Sequence, residues 1–157
     1  QPDGIAGLRF GSEAAAINRE ALALQAQGVQ AIVAVVHEGG DAGGGLDACE
    51  NPQGAIFDIE RELDRSIDIV LSAHTHRAYN CRIDGRLVTS ADKYGTVVSA
   101  IDLVLDPKTR DVASATANNV IARTSFAKDP RQTALIEQYE KLVVPLAKRV
   151  VGGRLPE

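Results

Sequence analysis

The chain contains three histidines, His37, His74 and His76, and all of them follow apolar runs. His37 closes the run Ala31-Ile32-Val33-Ala34-Val35-Val36, and His74-Thr75-His76 follows Asp68-Ile69-Val70-Leu71-Ser72-Ala73. Neutral imidazoles suit zinc, iron, manganese and similar divalent ions better than magnesium or calcium, which prefer oxygen ligands. Three imidazoles could bind one ion or be divided between two. That chemistry requires the elements in front of the histidines to bring them to one place.

The run from Val29 to Val36 is almost wholly apolar and rich in valine, the pattern of a strand covered on both faces. Ile67 to Ala73 has the same character. Between them, Gly54 to Leu63 carries Ile56, Ile59 and Leu63 at helical spacing. Strand, helix and strand in this order predict a parallel βαβ unit, whose strands finish at the same edge of their sheet. His37, His74 and His76 would then cluster there, where open α/β sheets place ligands. Glu38 to Gly45 holds five glycines, Gly39, Gly40, Gly43, Gly44 and Gly45, and is expected to be a loop. It matches neither the dinucleotide-binding nor the P-loop pattern, so it is read as a surface loop or as a loop that approaches a ligand closely.

The remaining segments frame this unit. Ile5 to Phe10 alternates loosely, as a short strand does. Ser12 is a helix cap ahead of Ile17, Ala21 and Leu24, with Gly28 as the stop. Tyr79 to Ile83 and Leu87 to Ser90 flank Asp84-Gly85, a hairpin signal because a type I′ turn needs positive φ at both central residues. Val97 to Leu105 and Val112 to Ile121 predict two further strands, antiparallel neighbours of the parallel unit, joined through Asp106-Pro107-Lys108-Thr109. Asp129-Pro130 opens a last helix with Leu135, Tyr139, Leu142, Leu146 and Val150 on one face; Pro145 is expected to kink or split it, and Gly152-Gly153 to end it.

At 157 residues the chain has the length of one domain with a real core. A formal charge of -4, without a block of Lys or Arg, argues against nucleic acid or an anionic membrane as the main partner. No apolar stretch reaches the roughly 20 residues that span a bilayer. The sequence opens on Gln1 and contains no methionine, so part of a longer translation product is expected.

These residues resemble a known family. His37 after Ala-Ile-Val-Ala-Val-Val, and Ser72-Ala73-His74-Thr75-His76 after Asp-Ile-Val-Leu, are similar to the last two metal-ligand motifs of the calcineurin-like metallophosphoesterases. They look most like the bacterial 5'-nucleotidase and 2',3'-cyclic phosphodiesterase branch. That family usually has glycine where this chain has Ala73. Val88 to Gly95, followed by Val97 to Leu105, is similar to the segment after the family's histidine pair, and Ile5 to Phe10 looks like the strand ahead of its first histidine motif. The resemblance implies the C-terminal part of an α/β/β/α sandwich: a parallel βαβ unit, added antiparallel strands and, over residues 129–157, a linker helix toward an absent C-terminal nucleotide-recognition domain. Residues 1–128 would belong to the catalytic domain.

By the same resemblance, the parent would hydrolyse phosphate esters of nucleotides with two divalent ions about 3.5–4 Å apart. His37 and His74 would bind one ion and His76 the other. The family's early motifs, an Asp and a His, a bridging Asp, and an Asn followed by a His, are expected upstream of Gln1, so this chain alone is expected to be inactive. Cys49 and Cys81 each follow a histidine motif, so the inferred fold brings them close. As residues they are compatible with a disulfide, two buried thiols or zinc-binding thiolates. The family's oxygen and nitrogen ligands and the frequent export of this branch imply the disulfide, and with it a periplasmic or secreted bacterial protein. A different class of reading is a non-catalytic, disulfide-linked α/β module that uses its histidine edge for structural zinc or for a partner. The metallo-β-lactamase pattern does not fit, since Arg77, Ala78 and Tyr79 follow His76. Nor does an amidohydrolase barrel, for which too little chain follows the pair.

Overall fold

Ser12 begins the first long helix as its side chain predicts: its hydroxyl accepts a hydrogen bond from the Ala15 amide at 3.1 Å. Helix α1 runs from Glu13–Ala26 and ends ahead of Gly28, which takes a φ of 84°. The computed structural model describes residues 2–152. Ahead of α1, Pro2–Ile5 forms a 3-10 turn, and the strand expected over Ile5 to Phe10 does not form. Gly7 turns the chain at a φ of 85°, and no strand pairs with this segment, so alternation alone has nothing to hydrogen-bond to.

The βαβ unit is present. Strand β1 (Val33–Val35) leads through a hairpin of β2 (Asp41–Gly43) and β3 (Glu50–Gln53) into α2 (Ala55–Arg61) and then to β4 (Ile69–Leu71). β1 and β4 are parallel, with Val33 opposite Ile69 and Val35 opposite Leu71. The glycine-rich segment after His37 is thus partly strand, because Asp41 to Gly43 finds a partner in the residues before α2. Strands β5 (Ala78–Ile83) and β6 (Arg86–Ala91) form the expected hairpin, and Asp84 and Gly85 take φ of 48° and 91° in its turn. β6 returns between β4 and β5, parallel to β4, so the sheet order is β1-β4-β6-β5.

The period of two divides each strand between two cores. On one face, Ala34, Val70, Val88, Tyr79 and Cys81 pack against Ala14 and Ala21 of α1 and against Ile56 and Phe57 of α2. On the other, Ile69 and Leu87 meet Ala115, with Leu71, Ile101, Val112 and Ala117 around them. The last three belong to β7 (Val97–Leu105) and β8 (Val112–Ile121), which run as their sequence predicts. They do not add to the sheet as neighbours, however; they pair only with each other and cover its second face as a ribbon. The ribbon's core contacts are with β4 and β6. Val33 and Val35 of β1, on that same face, are 42% and 79% exposed, so β1 is buried on one face and not on two.

The amino edge of the sheet is closed by Arg86. Its guanidinium donates to the carbonyls of Ile67 at 2.6 Å, Glu60 at 3.2 Å, Leu63 at 3.5 Å and Asp64 at 2.7 Å, and to the Glu60 carboxylate at 2.8 Å. Carbonyls released at the end of α2 thereby find donors. On β8, Asn119 is buried and ties the ribbon down: its amide donates to the carbonyls of Leu46 at 2.7 Å and Ser90 at 3.1 Å, and its backbone N–H to Asp47 at 2.6 Å.

The chain divides between Ala122 and Arg123 into two compact units. In the second, α3 (Pro130–Ala147) starts at Asp129, whose carboxylate accepts from the Arg131 and Gln132 amides at 2.7 and 3.1 Å. The helix runs through Pro145 without splitting and ends at Ala147, short of Gly152; Gly153 lies outside the described residues. Among the described residues no helix is long and apolar enough to cross a membrane.

Candidate metal centre

Strand β1 delivers His37, and β4 delivers His74, to the carboxyl edge of the sheet. The backbone there is zipped a little beyond the strands: Val36 N–H donates to the Leu71 carbonyl at 2.8 Å, and Ala73 N–H to the Glu38 carbonyl at 3.1 Å. The two imidazoles end with Nδ1 of His74 3.3 Å from Nε2 of His37, their rings nearly perpendicular at 74°. Both are exposed. His76 is on the same turn, but its ring meets Tyr94 edge-on at a centroid distance of 5.3 Å.

Glycine makes the close approach of the two turns possible. A Cβ on Gly39 would overlap the Ala73 carbonyl oxygen, and one on Gly40 would fall 2.7 Å from the Gln53 carbonyl and against the Phe57 ring. Both glycines are buried. The Thr75 hydroxyl, between the two histidines of the second motif, donates to the Gly40 carbonyl at 2.6 Å and latches the turns together. The Gly39 carbonyl accepts from Ile56 at 3.2 Å, so α2 holds the loop from the other side. These glycines therefore allow a close approach to the protein's own backbone.

His74 and His76 adopt positive φ, 72° and 56°, and so do Asp92 and Tyr94 in the loop after β6, at 63° and 54°. Such conformations cost about 1–3 kcal/mol per residue and persist where the surrounding structure imposes them. Here the turn that carries both imidazoles and the loop beside it are left-handed together.

The nitrogen pair can be tested against a metal ion directly. Tetrahedral zinc with Zn–N bonds of about 2.0–2.1 Å places two nitrogens roughly 3.3–3.4 Å apart. The observed 3.3 Å between His74 and His37 meets that requirement. The fit stops at two ligands: among the described residues no group of three or more His, Cys, Asp or Glu side chains converges on one point. His76 and its neighbour Arg77, which pairs with Asp41 at 3.5 Å, flank the pair without completing it.

Cys49 and Cys81 form a disulfide. It fastens the segment after β2 to β5, and no free cysteine remains among the described residues. Glu50, next in the chain, starts β3. The cross-link thus braces the hairpin that returns from His37 toward α2.

Sequence alone gives Thr75 and Tyr94 no role at the histidine edge. The doublet Gly39-Gly40 directly after His37 was the available signal for the glycines. Thr75 and Tyr94 become visible only when the turns meet.

No protein-family model matches the sequence. The chain is 29% identical over 152 residues to the endonuclease YhcR of Bacillus subtilis (strain 168), an alignment covering 96% of this chain and 12% of that protein. Among solved structures, the calcineurin-like phosphoesterase YfkN from Bacillus subtilis superposes with a TM-score of 0.71 at 18% identity, over 94% of this chain and 48% of that one. A 5'-nucleotidase precursor from Thermus thermophilus gives a TM-score of 0.66 at 16% identity, over 91% and 29%. The fold is thus that of the calcineurin-like phosphoesterases. The chain spans less than half of each of these proteins.

Proposed function

We propose that this chain contributes one side of a dinuclear metal centre in a phosphoesterase that hydrolyses nucleotide phosphate esters, of 5'-nucleotidase or 2',3'-cyclic phosphodiesterase type. The observation that carries this reading is the 3.3 Å between Nε2 of His37 and Nδ1 of His74, a spacing suited to a shared divalent ion. In this reading His37 and His74 hold one ion and His76 contributes to a second. Zinc, manganese, iron or a similar ion, when bound, supplies Lewis-acid charge and activates water. The chain's own residues do the positioning: Gly39 and Gly40 let the two turns close, and the Thr75 hydroxyl keeps them closed.

The remaining ligands would come from residues upstream of this chain, so the chain alone is inactive. The uncovered Val33 and Val35 support this, since their face of β1 is where further structure would pack. Residues 1–128 are assigned to the catalytic domain and 129–157 to the linker helix toward a C-terminal substrate-recognition domain. The Cys49–Cys81 disulfide fits an exported protein, periplasmic or secreted. The relative named as an endonuclease makes a nucleic-acid phosphodiester the competing ester, but the formal charge of -4 opposes a polyanion as the main partner.

The test is an assay of the full-length protein with nucleoside monophosphates, 2',3'-cyclic nucleotides and single-stranded DNA, before and after removal of divalent ions by a chelator. Hydrolysis of the mononucleotides, lost on chelation and restored by manganese or zinc, is expected. Hydrolysis of DNA alone would shift the substrate to the polymer. The absence of any hydrolysis would leave the non-catalytic module as the reading.

A further inference from the structure

Tyr79 is the largest fully buried side chain among the described residues. Its ring packs in the core beside Phe57, with centroids 5.4 Å apart. A phenylalanine would fill that space with no polar atom to satisfy, whereas the phenol O–H must find a partner. It finds the hydroxyl of Ser72, 2.7 Å away and also buried, two residues ahead of His74. The direction of that bond is fixed by what lies beyond it. The Thr89 carbonyl can only accept, and it takes both the Ser72 hydroxyl at 3.1 Å and the Ser72 N–H at 2.9 Å. Ser72 therefore accepts from Tyr79. Burial pushes the phenol above its ordinary range, against the pull of Ser72 and of the Gly40 amide, so its proton stays available to be donated.

From beneath, Tyr79 reaches both turns of the histidine edge. On one side it anchors Ser72. On the other it packs on the Phe57 ring, against which Gly40, three residues after His37, is closely set. The exposed Thr75 latches the two turns at the surface, and Tyr79 braces them from the core. We propose that Tyr79 is a positioning residue of the metal edge, whose hydroxyl fixes the turn of His74 against the turn of His37 and so sets the spacing of their ring nitrogens for a divalent ion. It acts through Ser72, in the way that groups behind metal ligands orient them. This assignment rests on the metal reading given above and deepens it.

The experiment titrates zinc into the metal-free full-length protein, with a chromophoric chelator as competitor. Tyr79→Phe keeps the ring and loses only the hydroxyl, and Ser72→Ala removes the same bond from the other side. Each should weaken zinc binding by about tenfold, the lower end of what groups behind metal ligands cost. The thermal midpoint of the metal-free protein should fall by only the few degrees that one hydrogen bond is worth. The double variant should bind zinc no more weakly than the weaker single, since both remove one bond. Wild-type zinc affinity in folded Tyr79→Phe, or losses that multiply in the double variant, would overturn the role of Tyr79 and leave the metal reading standing. Should Tyr79→Phe fail to fold, Ser72→Ala reads the same bond, and an unchanged affinity there overturns the role equally. A wild type whose zinc affinity is unaltered by His37→Ala would overturn the metal reading and this assignment with it.

Discussion

At the amino edge of the sheet, Arg86 is surrounded by carbonyls and by the Glu60 carboxylate, and its side chain is only 10% exposed. At the carboxyl edge, His37 and His74 stand exposed with their ring nitrogens facing each other. Both edges bring together polar groups from separate strands and helices. The difference lies in what completes them. Arg86 ends α2 with donors supplied from within the chain, whereas His37 and His74 stand exposed, His74 on left-handed backbone, with ring nitrogens 3.3 Å apart. In the function proposed above, the edge satisfied from within is structural and the exposed pair serves the site.

The contrast predicts opposite consequences for substitution. His74→Ala or His37→Ala in the full-length protein should abolish phosphate-ester hydrolysis while changing the unfolding free energy by no more than about 0.5 kcal/mol, as for exposed residues elsewhere. Denaturant titration beside the activity assay checks both halves. A large loss of stability with turnover intact would erase the distinction between the edges.

Arg86→Ala should do the reverse. Breaking a buried ion pair by removing one partner costs about 3–5 kcal/mol, and the carbonyls of α2 lose their donors as well. Protein that remains folded should turn over normally per molecule. Gly39→Ala lies between the two, since overpacking costs about 1–3 kcal/mol and the strain falls on the turn carrying His37. Here both readouts should drop, and a crystal structure should show the His37–His74 separation lengthened.

The smallest effect concerns pH. Burial pushes the Asp68 carboxyl above its ordinary range, against the pull of the Ile32 amide, which donates to it at 2.7 Å; the neighbouring Asp111 adds to the rise. Glu60 is raised in the same direction by burial, although Arg86 opposes it. An acid with a raised folded pKa contributes stability that is full below its unfolded value, about 3.9 for Asp, and is lost as pH rises through the folded value. Asp68→Asn can keep an acceptor for Ile32 and cannot ionise. Thermal midpoints measured upward from about pH 4 should therefore fall less with rising pH in the variant than in the wild type. Parallel curves would remove Asp68 from the account.

Much of the fold was legible because its local signals agree with its packing. Ser12, Asp84-Gly85 and Asp129-Pro130 are satisfied by interactions within a few residues, and all three structures form. Elements whose form depends on distant partners were read less well. Ile5 to Phe10 has no strand to join, β1 is open on one face because the ribbon does not reach it, and β7 and β8 cover the sheet where they were expected to extend it. At the site, the meeting of His37 and His74 followed from parallel topology. The turning of His76 toward Tyr94 did not, because it depends on a left-handed loop that no local pattern announces.

The direct test of the central claim is the crystal structure of the full-length protein soaked with zinc, with anomalous data collected on both sides of the zinc absorption edge. The account predicts an anomalous peak within about 2.0–2.1 Å of both Nε2 of His37 and Nδ1 of His74. Imidazoles joined by a direct hydrogen bond, with zinc bound elsewhere or not at all, would contradict it.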